Sequence, residues 1–253
     1  MQVTFLGTGT SSGVPLIGCQ CAVCQSLDYR DKRLRVSVLI ETQGKNFVID
    51  TGPDFRQQML RERVSQLDAV LFTHQHKDHT AGLDDVRAFN FLQRQDMPVY
   101  ARSQVLDQLK AEFAYVFADK KYPGIPRIQL HEITHQPFCI EGVTFVPIDA
   151  MHHNLPVFGF RVGDFAYLTD INFVPDHEMY KLNNLAVLVI GALQIEPHIS
   201  HFTLSQALDF AQKVGAKQTY FTHISHKLGS HKEVSKHLPD TVLLAQDGLR
   251  LRL

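Results

Sequence analysis

One short segment, LFTHQHKDHTAG, concentrates side chains that bind metal ions. It places His74, His76, Asp78 and His79 within six positions, directly after the apolar run DAVLFT. Neutral imidazole and carboxylate groups are ligands that zinc, iron and manganese accept. In the turn that leaves a buried strand, such side chains can converge on one point. The alternative is a polar surface loop with incidental histidines, but four candidate ligands in six positions favour a metal site.

Further candidate ligands stand at the ends of other strand-like runs. His152 and His153 follow VTFVPIDAM, Asp170 ends FAYLTD, and His223 ends KQTYFTH. Strands that each finish in a ligand can gather those ligands at one edge of a layered sheet structure. The recurrence predicts that they complete the site, although the residues alone leave the choice between His152 and His153 open. Taken singly, Asp170 would be a turn residue, and His223 a helix cap or a surface histidine.

Three of the four cysteines, Cys19, Cys21 and Cys24, lie within six positions. Thiols stay reduced in the cytosol, so this cluster indicates metal ligation rather than disulfide bonds. The pattern C-x-C-x-x-C supplies three thiolates, one fewer than the four ligands that structural zinc prefers. Cys139 stands apart from the cluster, and we expect it to be a small core residue.

The elements that must position these residues are mostly strands. Runs rich in Val, Ile, Phe and Thr recur along the chain, and several are apolar throughout, as strands covered on both faces are. This alternation of strands with a few helices predicts a layered α/β fold in one domain, residues 1–253. The predicted strands are 3–7, 36–42, 46–50, 68–73, 143–149, 165–170, 185–191, 217–223 and 241–246.

Three segments have helical periodicity. In residues 103–117 apolar side chains recur every three or four positions, and we expect Ser103 to be the N-cap. Residues 82–94 carry apolar side chains loosely on one side. Residues 203–214 begin with a Thr203 and Gln206 capping-box pattern and precede Gly215 as C-cap. Residues 119–137, with three prolines and little periodicity, indicate an irregular connection.

The composition limits the classes of function. With 253 residues, 44% of them apolar and 20% charged, the chain can build a sizeable core and is not disordered. The formal net charge of -1 provides no basic field to attract nucleic acid or an anionic membrane. The first residues lack the pattern of a secretory signal, and no apolar run approaches the ~20 residues that span a bilayer. We therefore expect a cytoplasmic protein.

Several motifs together resemble a known family. THQHKDHTAG resembles the HxHxDH signature of the metallo-β-lactamase superfamily, and LGTGTSSGVP and IDTGPD resemble its flanking motifs in the same order. GCQCAVC, THISH and QDG are similar to the branch that contains the cyclic phosphoribosyl phosphodiesterase of the carbon–phosphorus lyase pathway. The resemblance extends from Leu6 to Gly248 and implies a four-layered αβ/βα sandwich.

The resemblance also implies a ligand set with two divalent ions of zinc, manganese or iron. Asp170 would bridge the two ions, and the spacing to VFGF selects His153 over His152. Asp50 would orient a ligand histidine, or else be a plain turn aspartate. Two metals roughly 3.5–4 Å apart lower the pKa of a bound water and withdraw charge from a phosphodiester. The implied ligands are His74, His76 and His153 for one ion, and Asp78, His79 and His223 for the other.

Two further roles come from the same resemblance. His201 in ISHFTLS would be the general acid that protonates the leaving group. Alternatively it is a surface histidine near a helix N-terminus, where the helix dipole lowers its pKa. His226 in THISH would complete a structural zinc site with the three clustered cysteines. Because His223 lies only three residues away, this zinc would hold the loop that presents a catalytic ligand.

The leading hypothesis is a metal-dependent phosphodiesterase acting on a small cyclic phosphate ester, such as 5-phosphoribosyl 1,2-cyclic phosphate. We expect a small phosphodiester as substrate and no nucleic acid or membrane partner, with a homodimer left open. A second candidate is a tRNA 3′-processing endonuclease, although no long basic insertion is present to grip tRNA. A third is a thioester, lactone or β-lactam hydrolase, and a fourth is a non-hydrolytic role like that of the pyrroloquinoline quinone biosynthesis protein.

Overall fold

Two seven-stranded sheets form the centre of the computed structural model, which describes residues 1–120 and 122–253. The first sheet has the strand order β14-β1-β2-β3-β4-β5-β6, and the second has the order β13-β12-β11-β10-β9-β8-β7. The strands of the first sheet are β1 (Gln2–Gly7), β2 (Ser37–Thr42), β3 (Lys45–Ile49), β4 (Ala69–Leu71), β5 (Met97–Ala101), β6 (Ile128–Glu132) and β14 (Arg250–Arg252). Those of the second are β7 (Phe138–Ile140), β8 (Val143–His152), β9 (Leu155–Val162), β10 (Phe165–Leu168), β11 (Val187–Gly191), β12 (Gln218–Thr222) and β13 (Val242–Leu244).

Along the chain, the helices lie between these strands. No helix among the described residues is long and apolar enough to span a bilayer. The α-helices are α1 (Ala22–Gln25), α2 (Phe55–Glu62), α3 (Lys77–Thr80), α4 (Arg87–Gln93), α5 (Ser103–Glu112), α6 (Ala114–Phe117), α7 (Leu204–Val214) and α8 (His231–Ser235). Three 3-10 helices cover Tyr29–Asp31, Leu83–Val86 and Asp176–Leu182.

Three apolar clusters separate four layers. Because side chains alternate along a strand, Phe47 and Ile49 of β3 face the second sheet while Val48 faces the helices α2, α4 and α5. In the same way, Val189 of β11 faces the first sheet and Leu188 packs towards α7. Both sheets are therefore apolar on both faces, and the predicted αβ/βα sandwich is confirmed.

Strand direction determines where the carboxyl ends of the strands lie. In the first sheet β3, β4, β5 and β6 run parallel, and in the second sheet β10, β11, β12 and β13 do. Strand β8 is antiparallel to β9, which is antiparallel to β10, so β8 ends at the same edge as β10. The turns after these strands can therefore meet at one rim of the sandwich.

Most predicted elements are present, with two corrections at their ends. Helix α7 begins after Thr203, whose hydroxyl accepts from the Gln206 backbone N–H, and Gly215 ends it with a φ of 66°. The segment 82–94 is a 3-10 turn followed by α4. Helix α5 begins at Ser103 itself, with Arg102 in the N-cap position, so the assignment of Ser103 as N-cap was wrong. A break at Phe113 then separates α5 from α6.

Two other expectations were wrong. The segment 119–137 is not wholly irregular, because β6 extends the first sheet within it, pairing Val99 of β5 with Leu130. Cys139 is not a core residue: it lies exposed on β7, at the edge of the second sheet. An edge strand has one free side, and a short, partly polar strand there is weakly marked in a sequence.

Candidate metal centre

Three acidic or imidazole side chains reach the shared rim through an unusual backbone conformation. Asp50 follows β3, Asp170 follows β10 after one residue, and His223 follows β12. Their φ angles are 66°, 53° and 54°, in the left-handed region that costs non-glycine residues about 1–3 kcal/mol each. Such a conformation turns the chain sharply as it leaves the strand. The surrounding structure maintains this strain at the place where the side chains converge.

The first donor group consists of His74, His76 and His152, whose ligand atoms lie within 4.8 Å of one another. The Nε2 atom of His74 is 3.0 Å from Nδ1 of His76. The imidazole of His152 donates through Nδ1 to the backbone carbonyl of Ser200 at 2.9 Å, which leaves its Nε2 for a ligand bond. Three imidazoles with ring nitrogens this close favour a shared cation.

The expectation that His153 belongs to this group was wrong. His153 lies exposed in the turn between β8 and β9, where its backbone N–H donates to Asn172 Oδ1 at 2.9 Å. His152 is the last residue of β8 and is 8% exposed. Inward side chains at Ile148 and Ala150 precede it at intervals of two. This strand alternation was the signal that selects His152 from the sequence.

The second donor group consists of Asp78, His79, Asp170 and His223, again with ligand atoms within 4.8 Å. Asp170 Oδ2 is 3.1 Å from Nε2 of His223 and 3.4 Å from Nε2 of His79. These two Nε2 atoms are buried, and neither makes a hydrogen bond within the described part of the chain. Buried nitrogens without a partner are costly, and a cation coordinated by them would remove that cost.

Asp170 connects the two groups. Its Oδ2 atom also lies 3.9 Å from Nε2 of His74, which belongs to the first group. One carboxylate oxygen therefore faces imidazoles from both groups, as a ligand shared by two ions would. This position fits the bridging role that the resemblance implies for Asp170.

Asp50 is wholly buried and holds His79 in place. Its carboxylate accepts from the backbone N–H and hydroxyl of Thr73, at 2.9 and 2.8 Å. Nδ1 of His79 donates to the same carboxylate at 2.8 Å. This bond fixes the tautomer that leaves Nε2 unprotonated towards the centre. Asp50 is therefore a positioning residue and not a plain turn aspartate.

Buried charges at the rim favour cations. Burial raises the pKa of the Asp170 carboxyl, but the neighbouring imidazoles of His223 and His79 outweigh this and hold its pKa well below the usual range. Burial likewise lowers the pKa of His79, yet Asp170 and the other carboxylates raise it well above its ordinary value. In the first donor group, burial and the charge of the neighbouring His79 lower the pKa of His74. Ionised carboxylates beside imidazole nitrogens form a donor set that suits divalent ions.

His201 lies beside both donor groups. Its ring centroid is 4.5 Å from that of His152 and 4.7 Å from that of His223, over which it stacks. It sits on the loop between β11 and α7, two residues before Thr203. Burial and the nearby His223 lower the pKa of His201 to about 3. The position of the His201 ring therefore suits a proton donor. The lowered pKa of His201 in the site without substrate opposes that role.

The cysteine cluster meets His226 as the resemblance implies. The Sγ atoms of Cys19 and Cys21 each lie 3.3 Å from Nδ1 of His226, and Cys24 completes a group within 4.8 Å. Hydrogen bonds from the Cys24 backbone and from His226 lower the pKa of the Cys21 thiol to about 6, which favours the thiolate. Three sulfurs and one imidazole nitrogen fit the tetrahedral set of structural zinc.

Backbone hydrogen bonds connect the cysteine site to the second donor group. The backbone N–H of Ile224 donates to the Thr8 carbonyl at 2.9 Å, and Thr10 donates back to the Ile224 carbonyl at 3.1 Å. This short ladder joins the loop after β1, which leads to the cysteines, to the segment that carries His223 and His226. Holding the cysteine site therefore also holds a ligand of the second donor group.

Residues 45–224 match the family described as the Beta-lactamase superfamily domain. The chain therefore belongs to the beta-lactamase superfamily, and the predicted family is confirmed. The chain is also similar to the crystal structure of a new diphosphatase from the PhnP family. Identity to that structure is 43% with a TM-score of 0.93, and the match covers 99% of this chain and 96% of that one.

Two further similar proteins are a structure that shares the fold and a longer curated relative. The Zn(2+)-bound PqqB of Methylobacterium extorquens has a TM-score of 0.82 over the whole of both chains, and at 17% identity this likeness concerns the fold alone. A protein of Porphyromonas gingivalis named octanoyltransferase is 40% identical over 252 residues, covering 98% of this chain but 51% of that protein. This chain spans about half the length of the curated relatives it matches.

Proposed function

We propose that the chain is a metal-dependent phosphodiesterase that hydrolyses a small cyclic phosphate ester. The observation that carries the proposal is the pair of adjacent donor groups facing a single oxygen of Asp170. The 43% identity to a diphosphatase of the PhnP family supports phosphate chemistry. Among small cyclic esters, 5-phosphoribosyl 1,2-cyclic phosphate is the example given by the sequence resemblance. The name octanoyltransferase belongs to a relative about twice as long, so we assign no acyl transfer here.

The donor groups define which residues would hold ions of zinc, manganese or iron. Such ions would supply a water with a lowered pKa and withdraw charge from the phosphate oxygens. A separate structural zinc would be held by the cysteine site. The first ion would take His74, His76 and His152; the second Asp78, His79 and His223, with Asp170 shared; and the zinc Cys19, Cys21, Cys24 and His226.

The remaining residues position ligands and move a proton. Asp50 keeps Nδ1 of His79 protonated, and the Ser200 carbonyl does the same for Nδ1 of His152. His201 would donate a proton to the leaving oxygen, because its ring lies beside both donor groups. The negative charge of a bound phosphate ester raises the pKa of an adjacent imidazole, which opposes the lowering caused by burial.

Replacing His201 with alanine should affect two substrates differently. An alkoxide leaving group needs a proton, so kcat for a cyclic ribose phosphate should fall by about 10²-fold or more. p-Nitrophenolate leaves readily as an anion, so kcat for bis(p-nitrophenyl) phosphate should stay within about threefold of that of the unaltered protein. Equal losses for the two substrates would contradict the proton-donor role and indicate that His201 only supports the site.

The proposed function is tested with purified protein loaded with manganese or zinc. We expect hydrolysis of bis(p-nitrophenyl) phosphate and of cyclic ribose phosphates, and loss of both activities on chelation. A tRNA precursor serves as the comparison substrate, measured at several salt concentrations. Cleavage of the precursor with strongly salt-dependent binding, and no turnover of the small esters, would contradict the proposal in favour of a nuclease.

A further inference from the structure

The loop between β11 and α7 carries His201 to the rim. Its outer part packs little apolar surface against the protein, because Ile195 and Ile199 are 51% and 69% exposed. The base of the loop is held by the backbone N–H of Phe202, which donates to the Ile171 carbonyl at 2.9 Å. A loop with so few buried contacts depends on hydrogen bonds to keep one shape.

Two side chains hold the carbonyls that directly precede His201. Asn172 donates through Nδ2 to the Ile199 carbonyl at 3.0 Å, and His152 donates through Nδ1 to the Ser200 carbonyl at 2.9 Å. These carbonyls belong to two successive peptide units. Because each unit is planar, holding both of them restricts the direction in which the His201 side chain leaves the backbone. Asn172 is the one of these two side chains that belongs to neither donor group.

Asn172 is itself anchored at the rim. It follows Asp170 by two residues, and its backbone N–H donates to the Met151 carbonyl at 2.9 Å. Its Oδ1 accepts from the backbone N–H of His153 at 2.9 Å. The amide side chain therefore uses its acceptor on the turn between β8 and β9 and its donor on the loop. It connects these two segments through backbone groups of each.

The packing of the His201 ring gives weaker control of its direction. The ring lies against the rings of His152, His198 and His223, with centroids 4.5, 5.0 and 4.7 Å away. Ring packing tolerates a wider range of orientations than a hydrogen bond does. The conformation of the loop backbone therefore determines where the His201 imidazole points.

We propose that Asn172 is a positioning residue for proton transfer, holding the loop so that the His201 imidazole faces the leaving oxygen of the substrate. The inference rests on the proposed phosphodiesterase function and on the proton-donor role of His201 within it. A displacement of about 1 Å at a reacting group can cost about 10²-fold in rate. Loss of the Asn172 bonds should therefore impair protonation more than it impairs ion binding, because both bonds go to backbone groups.

Asn172→Leu tests the inference because it removes both bonds while keeping a branched side chain. We expect the ratio of kcat for a cyclic ribose phosphate to kcat for bis(p-nitrophenyl) phosphate to fall about tenfold, since only the first leaving group needs a proton. Asn172→Asp keeps the acceptor for His153 but lacks the donor to Ile199, so it should lower the ratio similarly. Its added charge acts on two anionic substrates and so affects the ratio little.

A double substitution separates positioning from general support of the site. In the protein with His201→Ala, adding Asn172→Leu should leave this ratio unchanged, because the group that Asn172 positions is already gone. A further fall of about tenfold in the double variant would overturn the inference. Amide hydrogen exchange in residues 195–201 gives a readout that does not depend on activity, and it should become faster in Asn172→Leu.

Asn46→Leu is the matched control. Asn46 also donates through Nδ2 to a backbone carbonyl, that of Gln66 at 2.9 Å, but it lies near the start of β3, away from the rim. It should change neither the ratio nor the exchange of the loop. Equal losses for both substrates in Asn172→Leu, or unchanged exchange of its loop, would overturn the inference. Failure of the unaltered protein to hydrolyse either substrate would instead overturn the proposed function, and the inference with it.

Discussion

Asp170→Asn should reduce the hydrolysis of bis(p-nitrophenyl) phosphate by about 10³-fold or more. The substitution preserves the volume of the side chain but removes the negative charge of the carboxylate whose Oδ2 faces His74, His79 and His223. Without that charge, neither donor group retains a shared anionic ligand. Steady-state kinetics with manganese or zinc in excess measures the effect. Elemental analysis should also show loss of the metal proposed for the donor groups, with the zinc proposed for the cysteine site retained.

Asp176→Asn is the control for this substitution. The Asp176 side chain is 93% exposed and pairs with Lys213 on the surface, so its loss should leave both activity and metal content unchanged. Undiminished activity of Asp170→Asn would contradict the shared-ligand mechanism, because no other carboxylate faces both groups within the described residues.

Cys21→Ser should lower the melting temperature by about 10 °C, because a structural zinc site contributes several kcal/mol and each kcal/mol is worth about 2–4 °C at this chain length. The same protein should lose about one zinc per chain. Activity should fall as well, since the Thr8–Ile224 ladder connects the cysteine site to the segment that presents His223. Scanning calorimetry, elemental analysis and the phosphodiesterase assay measure these three effects.

Cys139→Ser provides the matched control, because Cys139 is exposed on an edge strand and lies outside the cysteine cluster. It should change neither zinc content nor melting temperature. Full zinc content in Cys21→Ser would show that the cluster is not a zinc site. A normal melting temperature with one zinc lost would show that the ion does not support the fold.

The layered fold was predictable because its central strands are apolar on both faces. Strands β5 and β9 were missed because their sequences, MPVYA and LPVFGFRV, contain residues that usually interrupt strands. In β9 the glycine is required by packing, since a Cβ at Gly159 would lie 2.7 Å from the Leu168 side chain and 3.0 Å from the Tyr167 carbonyl. This requirement arises from the packing of β9 against β10, so the sequence of β9 alone does not reveal it.

The donor groups were predictable to a similar extent. Their residues stand at strand ends, which the sequence marks, and the family signature fixes most of their identities. The choice between His152 and His153 required extending the alternation of Ile148 and Ala150 by one more step, to the last residue of β8. The ties from Asn172 and the Ser200 carbonyl were not predictable, because they join segments that are distant along the chain.

The left-handed backbone at Asp50, Asp170 and His223 has an evolutionary consequence. Glycine or asparagine would adopt these three conformations with less strain, so the side chains at the rim are kept at a cost in folding stability. A relative in which these positions no longer need to bind ions should tolerate glycine or asparagine there and gain thermal stability.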